Sequence, residues 1–331
     1  MPIITRRLAM LTALAVPALP RQGFAEGAYP SRPVRVVVPF PPGNMSDLIA
    51  RILAEEMQSR HGVQIVVDNR AGATGAIGIQ AVIRSETDGY TLLLTSSSPV
   101  TVNPAVNPNV PFDVERDLVP ISLMGWTGFL LVFPPNFPAN NLAEAVAIMR
   151  AQAGRFTAAN PGMGTAGHLI TEMFSRLTGT KLEQVSYRGS AAALLDLNAG
   201  RVQFMIDAMT SSVPLVRGGR IKALAVLSSR RSPIVPEIPS MPETGVPELA
   251  GFESIAWSGL MGPTGTPPRV IEYWNRQINA LLREPSVVQR LAVANVEAAP
   301  PSEPGRLGEL VASELTRWRT LVREANITVS G

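Results

Sequence analysis

Apolar residues in this chain recur in two rhythms, one suited to strands and one to helices. Residues 34–38, VRVVV, form a β-branched run that fits a strand buried on both faces. Pro39, Pro41, Pro42 and Gly43 stop it, and Asn44 and Ser46 offer side-chain oxygens that cap a helix start. Leu48, Ile49, Ile52, Leu53 and Met57 then follow at helical spacing. The same order repeats with a strand over 63–67, a glycine-rich turn DNRAGATGA over 68–76 and a helix over 77–83. After the Asp88-Gly89 turn comes a strand over 90–95, ending in Ser96, Ser97 and Ser98. A β-α-β-α-β series predicts a parallel sheet with helices on its faces. Ligands of such sheets bind beyond the carboxyl ends of the strands, where the 43–47 and 96–98 loops both fall.

Between 100 and 118 the periodicity fades among prolines and asparagines. Strand-like runs at 118–124 and 129–133, separated by Gly125-Trp126-Thr127-Gly128, mark a crossing into a second alternating series. That series predicts helices over 142–153, 166–177, 191–199 and 211–217, and strands over 155–159, 182–187, 202–207 and 221–227. Pro233, Pro236, Pro239 and Pro242 punctuate an irregular return, and 252–260 is a strand-like crossing back. Trp126 and Trp257 sit on the two crossings and read as packing residues. The remaining helical patterns, 268–283, 285–294 and 304–325, each open on proline, a good first-turn residue. The expected class is α/β, with two doubly wound lobes joined by two crossing segments around a cleft. Lobe 1 would comprise 26–125 and 253–331, and lobe 2 would comprise 126–252. Two crossings allow the lobes to hinge shut on a ligand.

Composition changes the picture mainly at the N-terminus. With 331 residues, 46% apolar and 17% charged, the chain can bury a full core. Residues 1–25 combine Arg6 and Arg7, an apolar run broken at Pro17 and a small-residue cleavage region near Gly23 and Ala25, which reads as a signal peptide. The run is shorter than the roughly 20 residues needed to span a bilayer. Thr5-Arg6-Arg7 leaves the twin-arginine route open beside the general one. Without Arg6, Arg7 and Arg21 the 29 basic residues fall to 26, level with 26 acidic ones, so nucleic-acid binding loses its electrostatic support. Cysteine is absent, which excludes disulfides, thiolate metal sites and a lipoprotein anchor. The expected location is the periplasm.

Candidate chemistry is sparse. The loop before the first helix leaves N–H groups at a positive helix end, a place for a carboxylate. Gly162-Met163-Gly164-Thr165-Ala166-Gly167 matches G-x-G-x-x-G, and Glu183 follows at roughly the spacing of a ribose-binding acid. An exported nucleotide-dependent oxidoreductase is therefore a rival reading. The weak strand FTAAN, the intervening Pro161 and the place of Glu183 at a strand start count against it. The same turn offers a second set of amides for an oxyanion. His61 ends the first helix, where it suits the dipole. His168 either meets a ligand or makes a hydrogen bond within its own loop. Asp47 and Asp207 read as loop holders more than as a catalytic pair, since a free carboxylate repels an anionic ligand. No hydrolase or zinc motif is present, so neither a catalytic residue nor a cofactor is expected.

Several blocks, in order, give the chain a family resemblance: YPSRPVRVVVPFPPG, DNRAGATGAIG, DGYTLLLTSSS, NPGMGTAGHL, YRGSAAALLDLNAGRVQFM and WSGLMGPTGTP. From Tyr29 onward it resembles the Bug family of periplasmic solute receptors, the extracytoplasmic components of tripartite tricarboxylate transporters. The resemblance implies a type II periplasmic-binding-protein fold with a small organic acid between the lobes. It implies ligand contacts from Phe40, Gly43, Asn44, Ser46 and Asp47, with Ser96 and Ser97 nearby. From the other lobe it implies Gly164, Thr165, Ala166 and His168, with Tyr187 and Asp207 deeper. Implied partners are membrane transporter subunits, or a membrane sensor in a signalling variant, with the receptor acting as a monomer. Two departures fall in the expected pocket. Asn44 and Ser46 replace a glycine and a threonine common in the family, and Ala208, Met209, Thr210 and Ser211 replace a frequent Asn-x-Pro-Ser.

Overall fold

The computed structural model describes residues 29–324. The proposed signal peptide lies outside the described residues. In the first part of the chain, β1 (Val34–Val38), α1 (Met45–His61), β2 (Ile65–Asn69), α2 (Ala76–Ile83) and β3 (Thr91–Ser96) form the expected alternating series. The three strands pair in parallel, β1 in the middle. Asn44 caps α1 by accepting from the Asp47 amide, and Gly62 closes the helix in the left-handed conformation.

The aperiodic stretch folds into a π-turn (Ser98–Val102), α3 (Asn103–Val106) and α4 (Val114–Asp117). The two strand-like runs that follow are one continuous strand, β4 (Leu118–Phe133). Gly125 and Gly128 do not break it. A Cβ at Gly125 would lie 2.7 Å from the Glu297 carbonyl, and one at Gly128 would lie 3.0 Å from Met209 Sδ. Both glycines allow neighbouring elements to approach the strand.

The second series is α5 (Leu142–Ala151), β5 (Thr157–Asn160), α6 (Ala166–Thr178), β6 (Glu183–Ser186), α7 (Ser190–Asn198), β7 (Phe204–Ala208), α8 (Met209–Arg217) and β8 (Lys222–Val226). β9 (Ile255–Pro263) then returns, followed by α9 (Pro268–Leu281), α10 (Pro285–Val293), β10 (Glu297–Ala298) and α11 (Pro304–Glu324).

The strands order as β2-β1-β3-β9-β4-β7-β5-β6, with β8 and β10 also on β4. Up to Gly128, β4 pairs antiparallel with β9, bringing Trp126 opposite Trp257, and from Phe129 it pairs with β7 and β8. It is thus shared by two half-sheets. Alternation along each strand sends side chains to both faces. Val36 packs under α1 and α9, whereas Val37 packs under α2 and α11. Leu130 and Val132 pack with α7 and α8, and Leu131 and Phe133 with α5 and α6. Each half-sheet therefore has helices on both faces, a doubly wound arrangement. Helix α11 serves both halves: Leu307, Val311 and Leu315 join the first core and Trp318 the second. Val102 and Val106 likewise pack in the second core.

Candidate functional site

Four helices begin at one cavity of about 560 Å³ between the half-sheets. They are α1, α6, α7 and α8, and each follows the carboxyl end of a parallel strand: β1, β5, β6 and β7. The first turn of a helix has amides without intrahelical acceptors and carries partial positive charge. Four such ends at one place make a site for negative charge. Asn44 and Met45 line it from α1, Thr165 and Ala166 from α6, Ser190 and Ala191 from α7, and Thr210 and Ser211 from α8. Phe40, Pro42, Phe129, Leu194 and Pro214 make much of the remaining wall apolar.

The first loop is held by Asp47, which is 1% exposed. Its Oδ2 accepts from the Gly43 amide at 2.9 Å and from Arg51 Nε at 3.0 Å. Its Oδ1 accepts from Arg51 Nη2 and Asn69 Nδ2, both at 3.0 Å. Burial alone would raise this carboxyl's pKa, but bonds from Arg51, Gly43 and Asn69 outweigh it and hold the pKa below the usual range. Ser46 is fully buried, its Oγ 3.1 Å from Ser258 Oγ, which in turn donates to the Thr95 carbonyl. Neither Ser46 nor Asp47 lines the cavity, whereas Phe40, Gly43 and Asn44 do. Asp47 builds the loop that presents them.

The second loop differs from the expected free-amide cradle. The Ala166 amide donates to Ser98 Oγ at 3.1 Å, and the Gly164 amide donates to His168 Nδ1 at 3.3 Å. Thr165 Oγ1 donates to the Gly162 carbonyl at 2.6 Å and accepts from the His168 amide. Thr165 thus acts as the N-cap of α6 while still lining the cavity beside Ala166. His168 and Gly164 do not line it. The His168 pKa is lowered, first by burial, with Glu172 opposing, so the ring is neutral and its nitrogen accepts within the loop. The amides of Gly162, Gly164, Thr165 and Ala166 all donate to protein acceptors, which counts against a dinucleotide site at this turn. A Cβ at Gly167 would lie 2.8 Å from Pro161 Cδ and 3.2 Å from the Ile206 carbonyl. That glycine is needed for packing of helix against strand.

Asp207 is the penultimate residue of β7, at the cavity wall, and is 1% exposed. Burial pushes its pKa up to about 6, against the hydroxyls of Ser190 and Ser212 and the Ala208 amide, which favour the charged form. Ser190 Oγ donates to Oδ1 at 2.5 Å and Ser212 Oγ to Oδ2 at 2.6 Å. Tyr187 is turned elsewhere, its hydroxyl donating to Asp196 at 2.8 Å. Ser97 is also outside the lining, and its carbonyl accepts from Thr101. Ser96 lines the cavity, and so does Ser98, which belongs to the expected 96–98 loop but not to the contacts the resemblance implies. Thr127, Ser190 and Arg220 line it without having been expected there, and Thr210 and Ser211, expected in the pocket only as departures from the family pattern, line it too. Ser190 and Thr210 could have been found, because they begin helices after parallel strands, as Asn44 and Thr165 cap theirs.

Among the described residues no group of histidine or acidic side chains could hold a metal ion, and no helix is long and apolar enough to cross a membrane. Fold and site together define a two-lobed solute-binding protein. Residues 49–327 match the family described as the tripartite tricarboxylate transporter family receptor, TctC. The chain belongs to this family, and within it to the Bug receptors. It is 38% identical over 324 residues to protein BugT of Bordetella pertussis, covering 97% of this chain and 98% of BugT. It is similar to an R. palustris protein solved with adipate (31% identity, TM-score 0.86, 91% of this chain and 99% of that one). It is also similar to MatC from Rhodopseudomonas palustris with bound malate (30% identity, TM-score 0.82, 89% of this chain and 100% of that one).

Proposed function

We propose that this chain is a periplasmic receptor, without catalytic activity, that takes up a small carboxylic acid and delivers it to the membrane subunits of a tripartite transporter. The observation that carries the reading is the convergence of four helix N-termini on one interlobe cavity with apolar walls. The adipate and malate found with its structural relatives support the ligand class. The ligand contacts proposed are Phe40, Gly43, Asn44, Ser96, Thr165, Ala166 and Asp207. With the Ala166 amide engaged by Ser98, the carboxylate meets the first-turn amides of α1 and the hydroxyls around it, directly or through water. Asp47 and Ser46 act through the shape of the loop. The receptor works as a monomer after removal of its leader, and closure of lobe 1 (26–125 and 253–331) on lobe 2 (126–252) excludes water.

Native mass spectrometry of freshly purified protein, followed by calorimetry with the released compound, tests this. The expected result is a retained acid that binds at micromolar Kd or better, equivalent to about −8 kcal/mol. Retention of a non-acidic molecule, with no carboxylate binding, would overturn the reading.

A further inference from the structure

An anion approaching this cavity meets little that attracts it from a distance. From residue 26 onward, 26 basic residues balance 26 acidic ones, so the chain as a whole supplies no attracting field. The helix starts inside the cavity carry partial charges whose effect falls off within a turn. Asp207 is the only acid lining the cavity among the described residues. With its pKa pushed up to about 6, it is charged at neutral pH and repels a carboxylate.

Two cations line the same cavity, Arg188 and Arg220, and both are exposed. Arg188 lies in the loop between β6 and α7, just before Ser190 opens the helix. Arg220 lies in the turn after α8. With its amide turned to satisfy both atoms, Asn198 accepts from the Arg220 guanidinium at 3.1 Å, a neutral partner that leaves the charge uncancelled. Among the described residues no carboxylate is ion-paired with either arginine. Asp196 of α7 is engaged instead by Arg201 and by the Tyr187 hydroxyl. Exposed charges hold a bound ion weakly, because water and salt screen them. They act most strongly during diffusional encounter, when an anion is drawn toward the mouth of a cleft.

We infer that Arg188 and Arg220 steer anions into the cleft, setting how fast an acid is captured and not how long it stays. This rests on the receptor reading and gives the two arginines a kinetic role apart from the ligand contacts. Steering needs charge alone, so lysine serves as well as arginine, whereas a two-pronged contact to a carboxylate needs the planar guanidinium. Steering also fails in concentrated salt, where the screening length shrinks from about 30 Å at 0.01 M to about 3 Å at 1 M.

Calorimetry on the mature protein first ranks malate, adipate, succinate and benzoate, and stopped-flow tryptophan fluorescence then follows capture and release of the tightest binder. In 0.01 M salt, the double variant Arg188→Gln, Arg220→Gln is expected to lower kon about tenfold and to leave koff within about twofold. The double variant Arg188→Lys, Arg220→Lys is expected to keep kon within about twofold of the unaltered protein. In 1 M sodium chloride all three proteins are expected to agree in kon to within about twofold. An unchanged kon in the glutamine variant at low salt overturns the inference and leaves the receptor reading intact. So does a loss carried by koff, a loss that lysine does not rescue, or one that persists at 1 M. Binding of none of the four acids defeats the receptor reading itself, and this inference with it.

Discussion

Asp207 gives the sharpest quantitative test of the site. Its carboxyl is buried against the cavity wall, served by two serine hydroxyls and a backbone amide, with no cation among its hydrogen-bond partners. Its pKa is pushed up to about 6 from an ordinary 3.8. Between those values the native carboxyl keeps its proton while the unfolded chain has released it. The unfolded state then binds fewer protons, so stability falls as pH rises. The full loss, reached above the native pKa, is about 3 kcal/mol at 1.36 kcal/mol per pH unit. Asp207→Asn cannot titrate and retains an oxygen to accept from one serine. Urea denaturation of both proteins from pH 4 to pH 7.5 isolates the effect, because Asp47, Glu56 and the other shifted acids are common to both. The unaltered protein should lose about 2.4 kcal/mol relative to the variant across this range, most of it between pH 4 and 6, because part of the full loss already falls below pH 4. Parallel stability curves would show that Asp207 ionises as an ordinary aspartate and that burial is not the dominant influence on it.

Asp47→Ala removes the acceptor for the Gly43 amide, Arg51 and Asn69, and should cost about 2–3 kcal/mol in denaturant unfolding together with at least tenfold in ligand affinity. The stability that the unaltered Asp47 contributes is complete above its unfolded pKa of about 4 and is lost as pH falls through the lower native value. Gly167→Ala places a methyl against Pro161 and the Ile206 carbonyl and should lower stability by about 1–3 kcal/mol, read as a shift in thermal midpoint. Thr74→Ala removes the bond from Thr74 Oγ1 to the Met163 carbonyl at 2.9 Å, which links the two halves beside the cleft. It should raise the ligand Kd about fivefold, for a net loss near 1 kcal/mol, and speed amide exchange in the 161–165 loop.

The chain by itself determined the order of its elements. β-Branched runs, helical spacing, the cap at Asn44 and the prolines opening α9, α10 and α11 act through neighbours a few residues apart. Local stereochemistry is enough to read them. The rest depends on partners distant in sequence. β4 runs unbroken through Gly125 and Gly128 because β9 pairs with it at both positions. The Ala166 amide, free on a local reading, is taken by Ser98 from 68 residues away. Tyr187 turns to Asp196, and Asp207 is raised by burial that strand, helix and loop create together. Arg220, in the turn after α8, lines the cavity beside Asn198 of α7. An amide, a carboxylate or a guanidinium acquires its chemistry from what the fold brings to it, and sequence spacing does not record that.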